Sequence, residues 1–190
     1  MSAHDFFKNG ADAKGLGAYL DGLSEEQRVL EVRSLSGKEL AALYDAASGP
    51  LTLEYFVGPD VAPLREVIHE GKNSLPLFSS FQKRFCRPAP GATELWGYNE
   101  QAMRWATGPG YFKARIVDGG VLIDYLEVPS GAPPQGWPAI LPNSAGLSRF
   151  VYYQTQDAMR GVSKHVSIGR ASKKGEPMDA WFALCRRDSR

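Results

Sequence analysis

The chain has 190 residues, 43% of them hydrophobic and 23% charged, with a formal net charge of +1. That length suits one domain or one domain with a small appendage, and the composition is that of a globular protein with a core. The near-zero charge argues against a dedicated nucleic-acid binder, and no apolar run approaches the ~18–20 residues of a membrane helix.

Charge is distributed unevenly. Residues 1–48 carry five Lys/Arg and eight Asp/Glu, whereas residues 149–190 carry nine and four. Lys173, Lys174, Arg186, Arg187 and Arg190 read first as solvated loop and terminal charges, and second as a site for an anionic ligand or partner. Cys86 and Cys185 form no framework and no metal spacing, and His4, His69 and His165 are far apart, so no metal is expected. The polar start of the chain has no apolar leader-like stretch, so a cytoplasmic location with free thiols is the expectation.

Residues 1–50 read as a helical segment and residues 51–190 as a sheet domain, the two forming one compact unit. A weak helix is expected near residues 13–20, where Gly15 and Gly17 lower the propensity. Ser24 with Gln27, and Ser36 with Glu39, match the capping box and start two short helices. Leu40, Leu43, Tyr44 and Ala47 share one face of the second, and Gly49-Pro50 ends it. Residues 51–57 fit a strand or a continued helix. Asp60 caps a predicted short helix through Leu64, Val67 and Ile68, ending at Gly71. Leu77, Phe78, Phe81 and Phe85 recur at helical spacing, and Pro88 and Pro90 follow, which predicts a helix packed across the sheet.

Strand signals dominate from residue 93. They cover residues 95–98, 111–117 and 121–128, then 149–155, 165–171 and 178–185, while 156–162 fits either a strand or a helical turn. Asp118-Gly119-Gly120 is a hairpin signal, because tight primed turns need positive φ. Alternation puts Phe112, Ala114, Ile116, Val121, Ile123 and Tyr125 on one apolar face, and gives Asp124 a cationic neighbour, Lys113 or Arg115. In the second hairpin Val166 and Ile168 are expected to share a face with Ala180, Phe182 and Leu184. Arg170 then falls on an apolar parity and demands an anionic partner or a route to solvent. The expected fold is α+β: a curved, mainly antiparallel sheet or half-open barrel of five to seven strands, with the N-terminal helices packed outside.

Residues 129–148 are rich in proline yet hold Trp137, Ile140 and Leu141. A loop this long is functional or disordered more often than not, and three large apolar groups argue for a packed segment. It reads equally as a cover for a sheet edge or as a lid anchored by Trp137. The leading functional expectation is non-catalytic binding of a small, partly apolar molecule in a sheet cavity under this loop. Trp96, Tyr98, Tyr125, Trp137 and Trp181 would line it, with Arg115 or Arg170 holding an acidic group. No cofactor, nucleic acid or membrane is implied. One alternative is an enzyme using His165, assisted by Cys185 or Asp124, since pairing places His165 near Ala183 or Cys185 and an imidazole beside a thiol can generate a thiolate. A packed cysteine and an incidental histidine are the commoner reading. Another is a protein-interaction module with a sealed sheet and an apolar helical patch.

Overall fold

The computed structural model describes residues 1–75, 79–102 and 104–188. Among them run strands β1 (Val67–Asn73), β2 (Ser80–Cys86), β3 (Glu94–Glu100), β4 (Phe112–Val117), β5 (Gly120–Asp124), β6 (Thr155–Gly161), β7 (Val166–Lys173) and β8 (Glu176–Arg186). Each pairs antiparallel with the next, and β8 returns to β1, so the sheet closes as a barrel. The α+β class and antiparallel sheet match the sequence expectation; the half-open form with five to seven strands is corrected to a closed barrel of eight. No described helix is long and apolar enough to cross a membrane.

The extra strands come from segments whose sequence imitates helices. In β2, Phe81, Lys83 and Phe85 face the lumen, as the pairs Gly71↔Phe81, His69↔Lys83 and Val67↔Phe85 require. The i, i+4 spacing of the two phenylalanines suits a helix as well as a strand, and a lysine between them hides the period of two. The predicted helix around Phe81 and Phe85 is therefore a barrel stave; Leu77 and Phe78 lie outside the described residues, as does Arg190. The predicted helix ending at Gly71 is β1, whose inward positions, Val67, His69, Gly71 and Asn73, carry no apolar alternation to reveal it. The ambiguous segment 156–162 is largely β6, and the predicted strand at 149–155 is mostly replaced by a helical turn.

The first ribbon has the expected inner face, with Phe112, Ala114, Val121, Ile123 and Tyr125 buried, except that Ile116 near the turn is 49% exposed. Its turn is Asp118-Gly119, with φ of 50° and 78°, and Lys113 opposes Asp124. In the second ribbon the expected grouping is wrong. Ser167 and Gly169 oppose Leu184 and Phe182, while Val166 and Ile168 oppose Cys185 and Ala183. Both faces of this ribbon are buried, one in the lumen and one beneath helices, so the apolar residues of the two strands do not share a side.

Those helices are a 3₁₀ turn (Ala3–Phe7), α1 (Ala13–Asp21), α2 (Glu25–Ser34) and α3 (Gly37–Ala46). Both expected capping boxes form, at Ser24/Gln27 and Ser36/Glu39. Leu16, Leu20, Val32, Leu35, Leu40 and Leu43 bury their side chains against Val166, Ile168, Ala183 and Cys185. The helix α4 (Leu53–Phe56) lies at one end of the barrel, where Leu53, Phe56 and Val57 join the lumenal core.

The lumen is built around cross-strand glycine–phenylalanine pairs: Gly71↔Phe81, Gly97↔Phe112 and Gly169↔Phe182. A Cβ on any of these glycines would lie 2.3 to 2.6 Å from the partner ring. Each ring occupies the space that a Cβ on the opposite strand would fill, which lets a narrow eight-strand barrel hold large aromatics along its wall.

His69 completes the plugged end. Its ring is fully buried, and Nε2 donates to the Phe56 carbonyl at 3.0 Å. Desolvation lowers its pKa to about 3. The unfolded chain therefore takes up a proton below about pH 6.5 that the native state refuses, so stability falls with pH by up to about 1.4 kcal/mol per unit. His69→Gln keeps an N–H donor and removes the titration. Urea unfolding of the variant at a series of pH values should show a shallower loss between about pH 6 and 4 than the parent; an identical slope would refute this role for His69.

Candidate functional site

At the opposite end the lumen opens into a cavity of about 140 Å³. Phe81 and Lys83 of β2, Asn99 of β3, Tyr125 after β5, Thr155 and Asp157 of β6, and Met178, Ala180 and Phe182 of β8 line it, with Asn73, Leu75, Gln101, Val151, Tyr152 and Ala171 at its rim. Alternation fixes which side chains arrive here. Lys83 shares an inward parity with Phe81 and Phe85, and Asp157 shares one with Thr155 and Met159.

Lys83 and Asp157 are the charged groups lining this cavity among the described residues, exposed by only 3% and 4%. Nζ donates to Asp157 Oδ2 at 3.2 Å, to Asn99 Oδ1 at 3.1 Å, and to the Tyr125 hydroxyl. Asn99 Nδ2 donates in turn to the Tyr125 oxygen and the Gly110 carbonyl, each at 3.1 Å. The rings of Phe182, Tyr125, Phe112 and Phe81 surround Nζ with centroids 4.8, 5.0, 5.1 and 5.7 Å away. Three of these rings are the partners of the cross-strand glycines, so those backbone devices also shape the cage. The aromatic faces favour the cation, and burial opposes it. Desolvation pushes the Lys83 amine below the usual lysine range against the pull of Asp157. Desolvation also raises the Asp157 carboxyl, and it raises the Tyr125 phenol well above the normal range. The interior thus draws the pair toward its neutral forms.

Tyr152 roofs the site. It follows a helical turn, α6 (Ser148–Val151), after a short helix α5 (Arg104–Thr107) in the β3–β4 connection. Its ring stacks on Tyr125 at 5.4 Å, and its hydroxyl accepts from Gln101 Nε2 at 3.0 Å. Gly110, at φ +55°, lies beneath that ring, where a Cβ would come within 2.5 Å of it. Glycine is required there for both conformation and space.

Of the seven residues expected to bind a ligand, Tyr125 lines the cavity and the other six lie away from it. Trp96 and Tyr98 occupy the outward parity of β3, opposite to Leu95, Gly97 and Asn99. Trp96 donates to Glu94 at 2.9 Å. Tyr98 meets Trp137 edge-on at 4.9 Å. Trp137 donates through Nε1 to Glu66 at 2.7 Å, and the Tyr111 hydroxyl donates to the Pro138 carbonyl at 2.6 Å. The proline-rich segment is therefore a strap on the outer wall around Trp137, and Asn143 pins its far end to the Tyr111 and Tyr125 carbonyls. Arg115 pairs outside with Asp124 at 2.5 Å. Arg170 lies over the Trp181 ring at 5.3 Å and donates to the Met178 carbonyl. It faces outward because the outer side of β7, not the inner one, carries Val166 and Ile168.

The three enzyme candidates are not assembled. Asp124 holds Arg115 and the Leu126 amide on the outer wall. His165 is backbone-paired with Arg186 and lies 3.3 Å from Asp188. Cys185 opposes Val166 instead of His165, is fully buried, and has its thiol pushed up to about 12 by desolvation. A thiol in that state is not a nucleophile.

Sequence reasoning missed Lys83, Asn99 and Asp157. The signal present was a polar residue on an inward parity between large apolar ones, Phe81-x-Lys83-x-Phe85 and Thr155-x-Asp157-x-Met159; it is informative only once the segments are known to be strands. The sequence matches no known family model and no curated protein.

Proposed function

We propose that the protein binds a small, partly apolar molecule in the open end of the barrel, with a polar head turned to Lys83, Asn99 and Asp157. The observation that carries this reading is a hydrogen-bonded charge pair, ringed by aromatics, bordering a cavity of about 140 Å³. Eight-strand barrels have room for packed side chains or for one small ligand, and a volume of this order takes a molecule near the size of a benzene ring. Lys83 and Asp157 offset each other, so the site suits a neutral carbonyl or hydroxyl head better than an acid. Neither Arg115 nor Arg170 is available to hold an anionic group. Leu75 and Val151 line the cavity and also face solvent at 42% and 39% exposure, which marks an entry route. The cavity also favours binding over the protein-interaction reading, which expects a sealed sheet.

Thermal denaturation with benzyl alcohol and with benzoate tests this. At about 100 times its Kd a ligand adds roughly 2.7 kcal/mol, a rise in Tm of several degrees for a chain of this size. Benzyl alcohol should give such a rise and benzoate a smaller one. Ala180→Phe, which fills the cavity, should abolish both. Trp137→Ala should lower the Tm of the unliganded protein yet leave the ligand-induced rise intact, because Trp137 packs on the outer wall. No rise with either probe, or a rise indifferent to Ala180→Phe, would refute the proposal.

A further inference from the structure

The geometry points to Lys83 as a nucleophilic amine that captures a small aldehyde or ketone as an imine inside the barrel, an inference that rests on the binding reading and adds covalent chemistry to it. The amine borders the cavity, and two groups able to move protons touch it: Asp157 at 3.2 Å and the Tyr125 hydroxyl. Phe81, Phe112 and Phe182 shield it from bulk water. A desolvated amine beside a positioned acid–base group is what carbonyl addition requires. Proton transfer within the pair, from the ammonium to the carboxylate, gives the reactive form with a lone pair on Nζ and a proton on Asp157, and burial shifts both groups in the direction of that exchange.

The step balances without a further reactant. The Nζ lone pair forms a bond to the carbonyl carbon while the carbonyl oxygen takes the Asp157 proton, giving a neutral carbinolamine once the Asp157 carboxylate recovers a proton from nitrogen. Reprotonation of the hydroxyl by Asp157 then expels water as the nitrogen lone pair forms the C=N bond. The remaining N–H proton returns to Asp157, leaving an imine and one water. Hydrolysis reverses it, and nothing is oxidised or reduced. The Tyr125 hydroxyl, which Asn99 Nδ2 holds beside the amine, is positioned to donate to the carbonyl oxygen during addition.

The test incubates the full chain with benzaldehyde and sodium cyanoborohydride near neutral pH, followed by intact mass and peptide mapping. Thermal denaturation with benzyl alcohol runs in parallel. The expected result is one benzyl group per chain, on Lys83, while surface lysines such as Lys14, Lys38 and Lys174 remain unmodified. Benzyl alcohol should compete with this labelling, and Asp157→Asn should slow it by about tenfold or more. The wild-type map decides the question even if the variant does not fold. Benzylation spread over surface lysines with Lys83 untouched would overturn the inference. Stabilisation by benzyl alcohol in that case would leave the binding reading standing, and its failure would remove both.

Discussion

Lys83→Met is expected to destabilise the protein by about 3–5 kcal/mol, the usual result of breaking a buried charge pair by removing one partner. The loss exceeds that of the methylenes, because methionine nearly preserves the stem and its contacts with Phe112 and Phe182. What remains is Asp157, 4% exposed and stripped of its cation. At neutral pH the carboxyl must take up a proton to stay in the lumen, whereas the unfolded chain keeps it ionised. The penalty is therefore largest near pH 7 and shrinks toward pH 4 by about 1.4 kcal/mol per unit. Lys83→Met/Asp157→Asn should recover more than half of the loss, since the orphaned charge is gone and Asn99 and Tyr125 still bond each other. Urea unfolding of the two singles and the double at two pH values measures the coupling. A double variant no more stable than Lys83→Met, or a pH-independent deficit, would mean that the ion pair does not govern stability here.

Gly97→Ala should be similarly damaging, at about 3 kcal/mol or failure to fold, although it adds a single methyl group. The new Cβ would lie 2.3 Å from Phe112 Cζ and 2.5 Å from the Arg84 carbonyl oxygen. Overpacking in a core costs about 1–3 kcal/mol when side chains can move aside. Here one of the obstacles is the backbone of the neighbouring strand, paired through Arg84↔Tyr98 and Phe85↔Gly97. Phe112→Leu in the same chain should relieve part of the cost and leave the rest. Gly22→Ala serves as a comparison, since its Cβ would meet only the Tyr19 and Ala18 carbonyls at 3.5 and 3.8 Å. That substitution should be neutral or slightly stabilising. Thermal unfolding of the three variants checks the ranking. Gly97→Ala within about 0.5 kcal/mol of the parent, the range of an ordinary surface change, would show that the glycine–phenylalanine pairs are not needed for barrel closure.

Both experiments address the same physical object. The cross-strand glycines let Phe81, Phe112 and Phe182 lie against the wall, and the space they leave is occupied by the Lys83 amine. Stability and the candidate site are coupled through those rings. A change that lifts a ring from its glycine should disturb the amine's surroundings as well as the fold.

The sequence alone determined the features that arise within a few residues. Ser24 and Ser36 start helices because a hydroxyl and a Glu or Gln three residues on satisfy orphan amides whatever the rest of the chain does. Asp118-Gly119 makes a hairpin because its backbone needs positive φ, and the first ribbon shows its faces because only one of them is apolar. The tertiary structure decided what depends on distant partners. β1 and β2 are strands because each completes a closed ring of staves, although Phe81 and Phe85 also suit a helix. The second ribbon buries both sides because α1, α2 and α3 cover the one that a lone hairpin would give to water. Lys83 and Asp157 lie 74 positions apart and meet only through the barrel's registers. A buried charge gains its partner from topology, and no local pattern of side chains can announce it.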